Sequence, residues 1–156
     1  MNPSQRAFSL LRDRKQSVTF AESLTGGLIA STFIENPGAS AVIGESYVSY
    51  SEEAKQRLLG VKKETLENHG VVSARCAAQM AAGARIRSGA DWAVSATGLA
   101  GPDGGTQETP VGTVFIGVSS AKETFTREFH FSGDRMQVRL QAVQAALDFL
   151  EEVIKA

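Results

Sequence analysis

The sequence is poor in the residues from which many functional sites are built. It contains one cysteine, Cys76, and two histidines, His69 and His130, among 156 residues. One cysteine excludes an internal disulfide and a cysteine-based metal cluster. The two histidines are far apart in sequence and show no spacing typical of metal ligands. We therefore expect neither a metal site nor a cofactor.

Long hydrophobic runs and an excess of charge of either sign are also missing. No apolar stretch approaches the roughly twenty residues that span a bilayer, and the segment MNPSQRAFSLLRDR lacks the apolar core of a signal peptide. Lys and Arg number 16 and Asp and Glu 17, so the formal net charge is -1. This balance provides no general field for a nucleic acid or an anionic membrane. The sequence thus favours a cytoplasmic protein with a small-molecule partner and without nucleic-acid or membrane binding.

Length and composition are those of an ordinary globular domain. The chain is 42% hydrophobic and 21% charged, so residues 1–156 are expected to form a single domain. The expected strands cover residues 17–22, 41–50, 91–96, 111–119 and 124–131, the last two forming an antiparallel hairpin. The expected helices cover residues 4–14, a segment ending near 36, and residues 51–60, 62–70, 74–89 and 136–154. This alternation predicts an α/β fold, a three-layer α/β/α sandwich around a mixed sheet.

The segment VTFAESLTGG at residues 18–27 passes from a buried strand to a helix within a few residues. Ser23 lies at this junction, where amides at the start of the helix could stabilise an oxyanion formed on a substrate. Gly26 and Gly27 would leave the approach to the serine open. Alternatively, Ser23 or Thr25 serves only as the N-cap of the helix, which is the commoner role of such a hydroxyl.

A serine nucleophile needs a base, and neither histidine lies in a loop that suits this role. Lys55 stands in the first turn of a predicted helix, shortly after a strand that ends at Tyr50. A lysine with a lowered pKa could accept the proton of the serine, and the tyrosine could orient or relay it. The alternative is an exposed helix lysine that pairs with Glu52 or Glu53.

A glycine-rich loop and a pair of arginines are candidates for anion binding. The segment TGLAGPDGG at residues 97–105 could offer several backbone amides to a phosphate or a carbonyl oxygen. Arg135 and Arg139 lie one turn apart at the start of the last helix, where an anion would relieve their repulsion and their conflict with the helix dipole. Two solvated arginines are the alternative. The candidate binding residues are Thr25, Gly26, Gly27, Thr97, Gly98, Gly101, Gly104, Gly105 and Arg135.

Five segments, in order, resemble the C-terminal domain family of the competence-damage protein CinA, whose single-domain members are nicotinamide-nucleotide amidohydrolases. They are AESLTGG at 21–27, SYVSYSEEAKQRLLGV at 46–61, GVVSARCAAQMA at 70–81, ATGLAGPDGGTQETPVGTV at 96–114 and GDRMQVRLQAVQAAL at 133–147. The resemblance covers nearly the whole chain. It implies a stand-alone domain of pyridine-nucleotide salvage that hydrolyses the carboxamide of nicotinamide mononucleotide, without a metal, to nicotinic acid mononucleotide and ammonia.

The resemblance also implies a serine, tyrosine and lysine set, which falls on Ser23, Tyr50 and Lys55. Ser23 would attack the amide carbon, Lys55 would accept its proton and Tyr50 would orient or relay that proton. Amides near Gly26 or Gly98 would hold the oxyanion.

Two positions depart from the usual family pattern. Leu24 stands where the family usually has cysteine, and Thr109 stands where it usually has lysine. Without a cation at position 109, Arg135 becomes the preferred charged contact for the phosphate. A non-catalytic nucleotide-binding module of the same fold is the alternative function. The alanine-rich and apolar helix faces further lead us to expect a homo-oligomer.

Overall fold

The computed structural model describes residues 1–156, which form six α-helices, five β-strands and a short 3-10 turn at Ala39–Ala41. The helices are α1 (Pro3–Arg14), α2 (Leu28–Phe33), α3 (Glu52–Leu59), α4 (Lys63–Asn68), α5 (Ala74–Ser88) and α6 (Arg135–Lys155). The strands are β1 (Val18–Glu22), β2 (Tyr47–Val48), β3 (Trp92–Gly98), β4 (Thr113–Ser119) and β5 (Thr124–His130). None of the helices has the length and apolar character that crossing a membrane requires.

The five strands form one mixed sheet in the order β2-β1-β3-β4-β5. Strands β2, β1 and β3 are parallel, whereas β4 and β5 are each antiparallel to the preceding strand of the sheet. A large apolar core joins one face of the sheet to α1, α2 and α6. A smaller core joins the other face to α3, α4 and α5. The expected three-layer α/β/α sandwich with a mixed sheet is confirmed.

Local capping signals explain where most helices begin. Asn2 and Gln5 bond reciprocally at the start of α1, and Asp134 and Gln137 do the same at the start of α6. The Ser51 hydroxyl accepts the amide of Ala54 at the start of α3. These side chains satisfy amides that a helix cannot bond internally, so they fix its first residue.

Two expected elements differ from the observed ones. Helix α2 begins only at Leu28, after Gly26 and Gly27 with φ of 58° and 101°. The N-cap is Gly27, without a side-chain bond, so the prediction of a Ser23 or Thr25 cap is wrong. The expected strand at 41–50 shrinks to the two residues of β2, because residues 39–41 turn and only the end of the segment pairs with β1.

The carboxyl ends of the parallel strands β1, β2 and β3 meet at one edge of the sheet. The segments that follow them are the turn into α2, the link to α3 and the glycine-rich loop. The start of α6 lies at the same edge, since the Arg135 side chain bonds to the carbonyl of Gly101 in that loop. Parallel α/β sheets usually bind ligands at this edge.

Candidate active site

Ser23 directly follows β1 and is held against the neighbouring strand. Its amide donates to the carbonyl of Ala96 on β3 at 3.1 Å, which continues the parallel pairing one residue beyond the strand. The hydroxyl of Ser23 therefore stands at the end of the sheet rather than at the N-cap position of α2.

Lys55 reaches Ser23 from the first turn of α3. Its Nζ lies 3.1 Å from the Ser23 Oγ and donates to the carbonyl of Ser49 at 2.7 Å. The side chain of Lys55 is among the largest fully buried ones, with only 1% of the residue exposed. It forms no ion pair, whereas Glu53 pairs with Arg57. The alternative of an exposed lysine paired on the helix surface is therefore wrong.

Burial sets the protonation of this lysine. Removal from water lowers the pKa of Lys55 below its ordinary value, and the nearby Cys76 and Glu52 oppose that shift. Burial also raises the pKa of the Cys76 thiol to about 11, so this group stays neutral near pH 7. A lysine whose neutral form is favoured, placed within hydrogen-bond distance of a serine hydroxyl, can act as a general base.

The fully buried carboxylate of Glu22 occupies the amides at the start of α2. It accepts from the amides of Gly27 at 3.2 Å, Ile29 at 2.9 Å and Ala30 at 3.0 Å. The negative charge at the helix N-terminus also suits the helix dipole. These amides cannot serve an oxyanion at Ser23, contrary to the sequence-based expectation.

The turn after Ser23 leaves two other amides without a partner. The Gly26 amide donates to the Ser23 carbonyl at 3.1 Å, so it is not available to a substrate either. No protein acceptor bonds to the amides of Leu24 and Thr25. Leu24 lines the cleft while its side chain belongs to the hydrophobic core. Thr25 is fully buried and does not line the cleft, so of the two amides only that of Leu24 belongs to a residue of the lining.

Tyr50 lies at the rim of the same cleft, away from the Ser23–Lys55 contact. It is 64% exposed, and its hydroxyl accepts from Arg135 at 3.1 Å. No hydrogen bond joins it to Ser23 or Lys55. Arg135 also donates to the carbonyl of Gly101 at 2.7 Å. Arg135 thus ties the segment before α3 to the glycine-rich loop.

The glycine-rich loop contributes only its first part to the cleft. Thr97, Gly98 and Gly101 line it, whereas Gly104 and Gly105 do not. The Thr97 hydroxyl is already bonded to the carbonyl of Val71 at 2.8 Å. A Cβ at Gly98 would lie 2.5 Å from the carbonyl oxygen of Thr113, so close packing on β4 is sufficient to explain that glycine.

Arg139 is not paired with Arg135 around a common anion position. Its Nε donates to the Leu24 carbonyl at 2.8 Å, and its Nη2 donates to the Thr25 carbonyl at 3.3 Å. The sequence suggests both arginines at one anion site or in solvent. The structure instead places Arg139 on the turn after Ser23. The spacing of residues in the sequence predicts neither the Arg139 contact nor the Glu22 contact. For Glu22, a carboxylate placed shortly before a Gly-Gly pair that opens a helix could have indicated the contact.

Together these residues surround one cleft of about 390 Å³. This volume lies within the usual range for small-molecule sites. The lining includes polar groups and an apolar wall; it comprises Ser23, Leu24, Tyr50, Ser51, Glu52, Lys55, Val71, Val72, Thr97, Gly98, Leu99, Ala100, Gly101, Asp103 and Arg135. Of the candidate binding residues, Thr25, Gly26 and Gly27 lie behind this lining. The nucleophile and base proposed from the sequence stand together in it.

Comparison with known proteins gives a consistent result. A family model described as the CinA C-terminal domain matches residues 2–154. A CinA-like protein of Endomicrobium trichonymphae is 47% identical over 147 residues, which cover 94% of this chain and 34% of that protein. A CinA-like protein of Thermotoga maritima is 44% identical over 146 residues, which cover 94% of this chain and 36% of that protein. The chain thus spans about a third of the length of these curated relatives.

Solved structures agree over the whole fold. The competence/damage inducible protein CihA from Agrobacterium tumefaciens has a TM-score of 0.94 at 38% identity, with 99% of this chain and 94% of that one covered. A CinA superfamily protein from Klebsiella pneumoniae has a TM-score of 0.93 at 34% identity, with 99% of both chains covered.

Proposed function

The chain belongs to the CinA C-terminal domain family, and we propose that it hydrolyses the carboxamide of nicotinamide mononucleotide to nicotinic acid mononucleotide and ammonia. The observation that carries this proposal is the contact between the buried Lys55 Nζ and the Ser23 Oγ at 3.1 Å. A buried lysine whose neutral form is favoured can activate a neighbouring serine, and neither histidine of the chain lines this cleft.

In the first half of the reaction, neutral Lys55 accepts the proton of Ser23 while the Ser23 Oγ attacks the carboxamide carbon. The Ser49 carbonyl, which accepts from Lys55 at 2.7 Å, holds the amine so that its lone pair can face the serine. The tetrahedral intermediate collapses when the carbon–nitrogen bond breaks. Lys55 returns the proton to the leaving nitrogen, and ammonia departs from a nicotinoyl ester on Ser23.

In the second half, water replaces ammonia. Lys55 accepts a proton from water as the water oxygen attacks the ester carbon. The bond to the Ser23 Oγ then breaks, and the serine regains its proton from Lys55. The products of the full cycle are nicotinic acid mononucleotide and ammonia, and both residues return to their starting states.

The oxyanion of both tetrahedral intermediates needs donors close to Ser23. The amides of Leu24 and Thr25 have no protein acceptor, whereas those of Gly26 and Gly27 are already bonded. We assign the oxyanion to the Leu24 amide, because Thr25 is fully buried behind the cleft lining and the amide directly after a nucleophile at a strand–helix junction is well placed for this role.

The phosphate end of the substrate needs an anchor away from the chemistry. Arg135 lines the cleft and carries a guanidinium whose remaining donors can bind two phosphate oxygens. Its bonds to Tyr50 and Gly101 hold it in position before the substrate arrives. A substrate with its amide at Ser23 and its phosphate at Arg135 would run along the cleft.

Ammonia release from nicotinamide mononucleotide tests the proposal directly. We expect turnover by the wild type and a loss of at least about 10³-fold in Ser23→Ala and in Lys55→Met. Lys63→Met is the matched control, because Lys63 is an exposed lysine on α4 that pairs only with Glu67. It should retain wild-type turnover.

A non-catalytic nucleotide-binding module would give a different result. Nicotinamide mononucleotide would then bind in calorimetry without release of ammonia, and Ser23→Ala would not change its affinity. That result would overturn the proposed reaction and leave only the binding function.

A further inference from the structure

The turn between Ser23 and α2 is held by a side chain from the opposite end of the chain. Arg139 on α6 donates its Nε to the Leu24 carbonyl at 2.8 Å and its Nη2 to the Thr25 carbonyl at 3.3 Å. Arg139 is partly buried and does not line the cleft. It thus contacts the main chain beside the proposed nucleophile without reaching the substrate position.

The bond to the Leu24 carbonyl fixes the peptide unit that directly follows the Leu24 amide. In a trans peptide the carbonyl and the amide hydrogen point in opposite directions, and the only cis peptide in the chain is Gly101–Pro102. Since the Leu24 carbonyl faces Arg139, the Thr25 amide points away from it. The peptide unit that carries the Leu24 amide itself is fixed by the bond from the Gly26 amide to the Ser23 carbonyl, so both peptide units that flank Leu24 are held.

The same turn is fixed from its other end. Glu22 holds the amides of Gly27, Ile29 and Ala30, and Gly26 bonds back to the Ser23 carbonyl. The carbonyls of Ser23, Leu24 and Thr25 are therefore all bonded within the protein. The Cβ position of Gly26 lies 3.3 Å from the Arg139 Nη2, so the guanidinium packs directly on the turn.

We infer that Arg139 is a positioning residue that holds the turn carrying the Leu24 amide, the proposed oxyanion donor, and that it does not bind the substrate phosphate. This inference rests on the proposed Ser23 chemistry. It separates the two arginines of α6: Arg135 faces the cleft, whereas Arg139 acts on the substrate only through the main chain after the nucleophile.

Arg139→Met and Arg139→Lys test the inference. Methionine retains much of the side-chain length but donates no hydrogen bond, whereas lysine retains the charge and part of the donor capacity. We expect Arg139→Met to lower kcat by about 10²-fold, with KM for nicotinamide mononucleotide and the affinity for nicotinic acid mononucleotide changed by less than about threefold. Arg139→Lys should recover part of kcat. The pH midpoint should not move, because Lys55 is untouched.

Gln141→Ala is the matched control. Gln141 also lies on α6 and donates to main-chain carbonyls, those of Ser132 and Gln137, but it does not contact the turn after Ser23. It should keep the wild-type kcat. Thermal unfolding of all variants shows whether a lost kcat accompanies a lost fold; a native melting temperature in Arg139→Lys with a lowered kcat supports positioning.

A fluorophosphonate probe makes the test independent of the natural substrate. Attack by Ser23 on phosphorus expels fluoride and develops negative charge on the phosphoryl oxygen, so the labelling rate also depends on the oxyanion donors. If Arg139→Met is labelled slowly and the wild type rapidly, the result supports the inference. If the wild type is labelled but does not hydrolyse nicotinamide mononucleotide, only the proposed substrate is wrong.

Three results would overturn the inference. One is wild-type labelling and kcat in Arg139→Met. Another is a rise in KM and a loss of product affinity at unchanged kcat, which would make Arg139 a phosphate ligand. The third is the absence of labelling of Ser23 in the wild-type protein, which would remove the nucleophile on which the inference rests.

Discussion

The amino group of Lys55 and the hydroxyl of Ser23 lie 3.1 Å apart, although 32 positions separate them in the chain. The parallel pairing of β1 and β2 explains this convergence. Both strands end at the same edge of the sheet, and α3 begins four residues after the end of β2. The first turn of α3 therefore passes over the end of β1, where Ser23 stands.

The pH dependence of turnover follows from this contact. Lys55 can accept a proton only when it is neutral, and burial lowers its pKa below the ordinary lysine value. We expect kcat/KM for nicotinamide mononucleotide to rise with pH along a single limb whose midpoint lies below that ordinary value. Ammonia release measured between pH 5 and pH 11, at pH values where the fold is stable, checks this. A flat profile, or a midpoint at the ordinary value, contradicts the role of Lys55.

The lowered pKa of Lys55 should also appear in the stability of the protein. The folded-state pKa of Lys55 lies below the unfolded one, so between the two values the unfolded state binds more protons and stability rises with pH. Below the folded-state pKa the cost of burying this group is fully present, at about 1.4 kcal/mol for each pH unit that separates the two pKa values. Lys55→Met removes the titration and leaves the other groups in place.

We therefore expect the stability of Lys55→Met relative to the wild type to be greatest at low pH and to fall as the pH rises towards the unfolded value. Urea unfolding of both proteins at a series of pH values measures the difference. A difference that does not depend on pH would mean that the pKa of Lys55 is not lowered by folding.

Much of the fold could be predicted from local signals. The caps at Ser51, Ser73 and Asp134 lie where the sequence places polar side chains before helical periodicity, and the hairpin of β4 and β5 is as expected. The meeting of Ser23 and Lys55 is expected because each residue follows the end of a predicted strand and because the family resemblance implies both. These features depend on residues that are close in sequence or on motifs that are visible in one sequence.

The remaining features depend on tertiary contacts. Glu22 and Arg139 bond to main-chain groups of one turn, and a main-chain partner leaves no residue-type signal at a fixed spacing. Strand β2 is short because only the last part of its segment pairs with β1. The strand preferences of the residues cannot reveal where this pairing stops. The catalytic and binding roles of the individual residues remain predictions.

The position of Tyr50 predicts a small effect of its hydroxyl. That hydroxyl bonds to Arg135 at the rim and to neither Ser23 nor Lys55. A proton relay contributes about 10²-fold or more, so Tyr50→Phe should lower kcat by much less if the hydroxyl only braces Arg135. Tyr50→Ala, which also removes the aromatic wall, should raise KM further. Steady-state kinetics of both variants separate a proton relay by the hydroxyl from a binding role of the ring. A 10²-fold lower kcat in Tyr50→Phe would show that the hydroxyl acts as a proton relay.

Close packing between α5 and α3 predicts a strong effect at Gly83. A Cβ there would lie 1.7 Å from the carbonyl oxygen of Leu59, so Gly83→Ala must push α3 away. Overpacking costs about 3 kcal/mol and alanine favours a helix by about 1 kcal/mol, so we expect a net destabilisation of about 2 kcal/mol and a lower kcat, because α3 carries Lys55. Gly44→Ala, where no atom lies within 4 Å, is the control. Equal unfolding midpoints in the two variants would contradict the packing argument.

Arg135 allows the phosphate contact to be separated from general damage to the cleft. A charged hydrogen-bonded contact contributes roughly 1.5–3 kcal/mol, so Arg135→Ala should raise KM for nicotinamide mononucleotide by about ten- to a hundredfold. Nicotinamide riboside, which lacks the phosphate, should be hydrolysed poorly and equally by both enzymes. The control is Arg127→Ala, which removes an arginine on β5 that pairs with Glu152. Equal losses on both substrates would mean that Arg135 acts only through its bonds to Tyr50 and Gly101, and no loss on either would move the phosphate to another part of the cleft.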